Sequence, residues 1–330
     1  MQFFFFILFL LPKDEINHEK RTKTMKLGFA SAILPDQSFD TVVDFAAEHG
    51  YRCVEMMCWP VGKAERRYAG VTHIDVDSLD AAHVSAIQTK LAETGVEISA
   101  LGYYPNALDP EADKAEVAIN HIKKLIVAAP KIGVHTVNTF IGRNQYLSVS
   151  DNMKLFAKVW PDIIKLAQDS GVRVGIENCP MLFTKDEWPG GKNLAVSPRI
   201  WREMFSVIDS ANFGLNYDPS HFVLQQMDYI RPIYEFTQKL FHVHIKDIKL
   251  YRNLLDEVGI FAAPLDYLQP KLPGLGDIDW GKFVSALTDV GYNGHICVEV
   301  EDKAFEDTLE HRYQSLIQSQ RYMSQFLITD

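Results

Sequence analysis

Glu177, Asp218, His244 and Glu299 have side chains suited to metal ligation or proton transfer, and each stands at the end of a short, largely apolar run. The run 174–177 ends in Glu177. In 213–218, Asn216 and Asp218 share a parity; 241–246 sets Phe241, Val243 and Ile245 against His242, His244 and Lys246; 295–301 sets Ile296, Val298 and Val300 against Cys297, Glu299 and Glu301. Residues two apart in a strand point the same way, so each polar set faces one side. Three carboxylates brought together raise one another's pKa unless positive charge sits among them. One divalent metal ion supplies that charge. Three carboxylates with one imidazole suit a hard or borderline ion, Mn²⁺ foremost, with Mg²⁺ and Co²⁺ as alternatives.

Neighbouring polar residues carry two readings each. Lys246 either pairs with Asp247 at the rim or contacts substrate. Asn178 and Arg143, each just beyond a strand, either bind substrate or cap a loop. Lys246 and Asn178 are therefore candidate substrate contacts. His242, one layer deeper than His244, is expected to be a hydrogen-bonded core residue, Glu55 to form an ion pair and Glu301 to lie on the rim.

Something must bring these strand ends together. Short β-rich runs at 26–30, 53–56, 98–101, 136–139, 174–177, 213–218, 241–246 and 295–301 alternate with segments of helical period such as 115–129 and 153–168. Gly50, Gly95, Gly133, Gly171 and Gly291 punctuate the helix-to-strand turns. Strict alternation implies a parallel sheet, and eight units imply closure, giving an α/β chain with a single (β/α)₈ barrel over 25–330. Only a barrel lumen gives all four polar sets one destination. A doubly wound sheet is disfavoured because Ser31-Ala32-Ile33-Leu34-Pro35, not a glycine-rich phosphate loop, follows the first strand. One long connection, 248–277, follows the seventh strand and is expected to be a functional loop.

A net charge of -10 without a basic cluster argues against nucleic acid as a partner. Cys53, Cys58, Cys179 and Cys297 lack zinc-knuckle spacing and disulfide density, which suits reduced thiols and a cytoplasmic location. The apolar run 3–11 is too short to span a bilayer as a helix, and it lacks the flanks of a secretory signal. Residues 1–24 are expected to be a disordered extension or a mis-assigned start, and no membrane association is expected. The expected partner is a small-molecule sugar or polyol, with a homo-oligomer left open.

The chain resembles the xylose isomerase-like TIM barrel superfamily, in its sugar phosphate isomerase/epimerase branch, from about Met25 to the C-terminus. The resemblance rests on Gly175-Ile176-Glu177-Asn178, Asp218-Pro219-Ser220-His221, His242-Val243-His244-Ile245-Lys246-Asp247, Gly274-Leu275-Gly276-Asp277-Ile278-Asp279-Trp280 and Val298-Glu299-Val300-Glu301, in that order and spacing. It implies a metal set of Glu177, Asp218, His244 and Glu299, with His221 contacting substrate. From the ketose 3-epimerases it also implies that Glu177 and Glu299 are catalytic acid and base. The substrate-binding arginine of those epimerases has no counterpart, since Lys249, Leu250 and Tyr251 stand there. Apurinic endonucleases of the superfamily need further histidines on the third and fourth strands, where this chain has Leu101-Gly102-Tyr103 and Asn138-Thr139-Phe140.

The resulting expectation is a divalent-metal-dependent sugar epimerase or aldose–ketose isomerase acting through an enediolate. An inosose-type dehydratase on the same framework is the alternative. A metal-dependent hydrolase or a non-catalytic sugar-binding barrel stands behind both.

Overall fold

The computed structural model describes residues 24–62, 69–182 and 191–328. Its strands are β1 (Lys26–Ala30), β2 (Cys53–Met57), β3 (Glu97–Gly102), β4 (Thr136–Thr139), β5 (Arg173–Glu177), β6 (Phe213–Tyr217), β7 (Leu240–Ile245), β8 (Asp247–Leu250), β9 (Leu268–Lys271) and β10 (His295–Val298). Eight of them close a parallel barrel in the order β1-β10-β7-β6-β5-β4-β3-β2, while β8 and β9 form a separate antiparallel pair. The expected (β/α)₈ barrel is therefore the fold. Two strands stop sooner than their sequence pattern suggests: β6 ends before Asp218 and β10 before Glu299. The Glu299 N–H still donates to the Ile245 carbonyl at 3.1 Å, which keeps the residue against β7.

Helices cover the barrel because their ends are specified locally. Ser38 caps Phe39–Glu48 by accepting from the Thr41 N–H, and Asp80 caps Ala81–Thr94 through the His83 N–H. Gly95 ends the second of these helices at φ 69°, a left-handed conformation that a side chain would oppose. Apolar faces of Ala112–Ala128, Val149–Asp169 and Trp280–Asp289 then pack on the outer barrel surface. Trp160, Trp201 and Trp280 are among the largest fully buried side chains there.

The connection after β7 is not the irregular loop that its Pro and Gly content suggests. β8 pairs with β9 in antiparallel register, Ile248 opposite Pro270, and helix Arg252–Val258 lies between them. Pro270 is tolerated because a two-stranded ribbon does not need its missing N–H in a further ladder. Ile248, Tyr267 and Leu268 pack with Val223 and Leu224, so the hairpin braces the short helix Ser220–Leu224 that carries His221. Expectations about residues 1–23 lie outside the described residues. Among the described residues, no helix is long and apolar enough to cross a membrane.

Candidate metal centre

In barrel order β5, β6, β7 and β10 are neighbours, so the residues ending them meet at one side of the C-terminal rim. One potential ligand atom from each of Glu177, Asp218, His244 and Glu299 lies within 4.8 Å of the others. His244 Nδ1 faces Glu177 Oε2 at 3.7 Å and Glu299 Oε2 at 3.6 Å. It is buried and makes no hydrogen bond.

That free nitrogen has a cause on the other side of the ring. His244 Nε2 lies 2.6 Å from Glu55 Oε2, and a carboxylate partner places the ring proton on Nε2. Nδ1 is left aimed at Glu177 and Glu299. In the cation-free protein burial pushes the imidazole down, but Glu55 and Glu299 outweigh it and hold it well above its ordinary value. A bound cation would take the place of its Nδ1 proton, the arrangement by which a second carboxylate orients a metal-binding histidine. Glu55 is fully buried and is held in turn by the Tyr104 hydroxyl and by Asn138 Nδ2, which donates at 3.1 Å. Burial alone would push the Glu55 carboxyl up; His244, His242 and Tyr104 outweigh it and hold it below the usual carboxylate range. Gly175 makes room for this support, since a Cβ there would stand 2.5 Å from Asn138 Oδ1. One layer below, His242 Nδ1 donates to Asn216 Oδ1 at 2.9 Å, and the Ser99 hydroxyl lies 3.0 Å from its Nε2. His242 is thus a satisfied core residue. Glu55→Gln is expected to weaken divalent-cation affinity by about 10- to 100-fold, because it loosens the ring without touching a ligand. Calorimetric Mn²⁺ titration of the variant checks this.

Positive charge is already present. Lys246, buried, donates from Nζ to Glu299 Oε2 at 2.7 Å and faces Asp218 Oδ2 at 3.1 Å and Glu301 Oε2 at 3.3 Å. The sequence left open a rim pair between Lys246 and Asp247, and the structure separates them. Adjacent residues point to opposite faces, so Lys246 enters the lumen while Asp247 turns outward. Asp247 accepts from the N–H groups of Gly274 and Ile278 and from the Trp280 indole, clasping the base of the hairpin.

His221 and Asn178 divide differently. His221 Nε2 lies 3.2 Å from both Glu177 Oε1 and Asp218 Oδ2, inside the cluster. Asn178 turns toward Asp218. Its Nδ2 donates to the Asp218 carbonyl at 2.8 Å and its Oδ1 accepts from the Asp218 N–H at 2.9 Å. Both polar atoms are engaged, and the side chain acts as a clamp that sets the backbone of Asp218.

The site fits one divalent ion. Carboxylates of Glu177, Asp218, Glu299 and Glu301 surround the Lys246 ammonium, and His244 Nδ1 is aimed at two of them. Burial pushes the Glu299 carboxyl up to about 7, with Glu177 adding to it and Lys246 opposing it. For Glu177, burial also pushes upward, but His221 and His244 prevail and bring it to about 2. Below pH 7 a cation must therefore displace a proton from Glu299. Because His244 must also give up a proton, apparent affinity is expected to fall with acid throughout this range and more steeply below that point than above it. Proton release measured by calorimetry in two buffers should be larger at pH 6, where Glu299 and His244 both give up a proton, than at pH 8.5, where Glu299 is already ionised.

The model of the xylose isomerase-like TIM barrel family matches residues 43–324. The chain belongs to this family. Among curated proteins it is 25% identical over 302 residues to YfiH of Bacillus subtilis, a protein of unassigned function, covering 84% of this chain and 93% of that one. It is 30% identical over 116 residues to the inosose dehydratase of Clostridium perfringens, a match spanning 33% of this chain and 38% of the dehydratase. Two similar solved structures are the D-psicose 3-epimerase of Clostridium cellulolyticum H10 and the IolI protein with a bound zinc atom. They have TM-scores of 0.67 and 0.68 and identities of 15% and 18%, and each match covers 92% of this chain and 99% of that structure. At such identities they establish the shared fold.

The sequence pattern did not identify Glu55 as the support of His244. Its signal was a single charge inside an otherwise apolar strand, Cys53-Val54-Glu55-Met56-Met57. Tyr104, Asn138 and Asn216 join it through contacts that only barrel closure creates.

Proposed function

We propose that the protein is a divalent-cation-dependent enzyme that moves a proton on the carbon beside a carbonyl of a small sugar, keto-polyol or related α-hydroxy carbonyl compound, as an epimerase or aldose–ketose isomerase. The observation that carries this reading is the unpartnered His244 Nδ1 aimed at Glu177 and Glu299. Glu177, Asp218, His244 and Glu299 would hold the ion. When bound, a divalent cation supplies Lewis-acid polarisation of the substrate carbonyl and its neighbouring hydroxyl.

The chain's own residues supply the rest. Glu177 and Glu299 bracket the cluster from β5 and β10, so a substrate lying over the rim meets one carboxylate on each flank. One takes the proton from the carbon, forming an enediolate, and the other returns a proton. Return to the same carbon from the opposite face gives an epimer; return to the adjacent carbon gives an isomer. Lys246, beside Glu299, is placed to hold a substrate oxygen or to neutralise charge that develops there. His221 is placed to contact a substrate hydroxyl and to keep Glu177 ionised.

The partial match to inosose dehydratases favours a second reading, in which the same enediolate loses a β-hydroxyl. Incubating Mn²⁺-loaded protein with ketoses, aldoses and inososes in D₂O, and scoring epimer, isomer, enone and deuterium incorporation, separates the two. Epimer or isomer formed without deuterium would refute the first reading, and inosose left without enone would refute the second.

A further inference from the structure

Two residues beyond Glu177, Cys179 brings a thiol to the flank of the same cluster. One ligand atom each from Glu177, Cys179 and His221 lies within 4.8 Å of the others, and all three residues are buried. The Met181 N–H donates to Cys179 Sγ at 3.3 Å. His221 Nε2 stands 3.2 Å from Glu177 Oε1 and from Asp218 Oδ2. Around a tetrahedral zinc ion, nitrogen and oxygen ligands are separated by about 3.3 Å, and a thiolate from a nitrogen by about 3.5 Å. The His221–Glu177 separation matches such a nitrogen–oxygen edge.

We propose that Glu177, Cys179 and His221 form a second cation position, selective for a thiophilic ion such as Zn²⁺. It adjoins the set of Glu177, Asp218, His244 and Glu299 and shares the Glu177 carboxylate with it. Oε1 of Glu177 faces His221 and Oε2 faces His244, so one carboxylate can serve both positions without moving. Donor chemistry sets the selectivity. Three carboxylates and an imidazole accept Mn²⁺ or Mg²⁺ as well as the more tightly held Zn²⁺, whereas a thiolate with an imidazole discriminates against the harder ions. The protein therefore takes up one Mn²⁺ but two Zn²⁺. This inference rests on the proposed function only through the shared glutamate.

The test uses the full chain, stripped of metal and titrated separately with Mn²⁺, Zn²⁺ and Cd²⁺. Bound ions are counted by elemental analysis after desalting, and ultraviolet absorption follows cadmium–thiolate charge transfer. The expected result is one Mn²⁺, two Zn²⁺ and a thiolate band on Cd²⁺ loading. In Cys179→Ser the Mn²⁺ count stays at one, the Zn²⁺ count falls to one and the band disappears. Because Cys179 also packs among Met57, Phe140 and Met181, His221→Asn serves as a second variant and should likewise lose one Zn²⁺. A single Zn²⁺ in the parent protein, or a second Zn²⁺ that survives both substitutions, would overturn the proposal. Failure of Mn²⁺ to bind the parent would count against the proposed function instead, and the Cys179-dependent Zn²⁺ count would still decide this one.

Discussion

Replacing Glu177 or Glu299 with glutamine is expected to lower kcat by about 10²- to 10⁴-fold while changing substrate binding far less. Glutamine keeps the shape and an oxygen that can still coordinate weakly, so what is lost is the basic carboxylate. The pattern of hydrogen exchange then separates the reactions. In an epimerase each variant keeps a base on one face, so each should exchange the α-hydrogen of only one epimer with solvent deuterium. In an isomerase or dehydratase a single glutamate starts the reaction. One substitution should then abolish exchange, and the other should spare it while blocking a later step. Full turnover in both variants would remove proton transfer from these residues.

Lys246→Met is expected to destabilise the cation-free protein by about 3–5 kcal/mol, the usual cost of leaving buried charges without their partner. Lys246 is 3% exposed and faces Asp218, Glu299 and Glu301, and all three would be left crowded. The sign with pH follows from those carboxylates. Lys246 holds Asp218 below its ordinary value against the upward push of burial. Its contribution is therefore present above the ordinary carboxylate range and is lost only as pH falls below that range toward the depressed folded value, so the deficit should be large at pH 7.5, persist at pH 4 and shrink only in stronger acid. Divalent cation should restore much of the lost stability, because it replaces the missing charge. Denaturant melts with and without Mn²⁺ at both pH values provide the check.

The site could be read from sequence where its logic is local. Strand β7 alternates His242 and His244 with Val243 and Ile245, and this period alone places the imidazoles in the lumen. Asp218 and Glu299 lie just past their strands, but β-like parity continues through them, so their direction was legible although the strand ends were not. Three features needed the third dimension. Glu55 is paired with a histidine 189 positions away, and nothing near it in the chain announces that partner. Asn178 reads as a loop cap or a substrate contact, and its two bonds to Asp218 join sites 40 positions apart in the chain. The hairpin β8–β9 was masked because Pro264, Pro270, Pro273, Gly274 and Gly276 signal irregular chain, whereas pairing between Ile248 and Pro270 and the grip of Asp247 on Gly274 and Ile278 order it.

The proposed chemistry depends on His244 presenting Nδ1 to a cation shared with Glu177, Asp218 and Glu299. Elemental analysis of the parent protein and His244→Ala, each equilibrated with Mn²⁺ and desalted, tests that dependence directly. The expected result is one ion per chain in the parent and almost none in the variant. An unchanged metal content in His244→Ala would contradict the assigned centre.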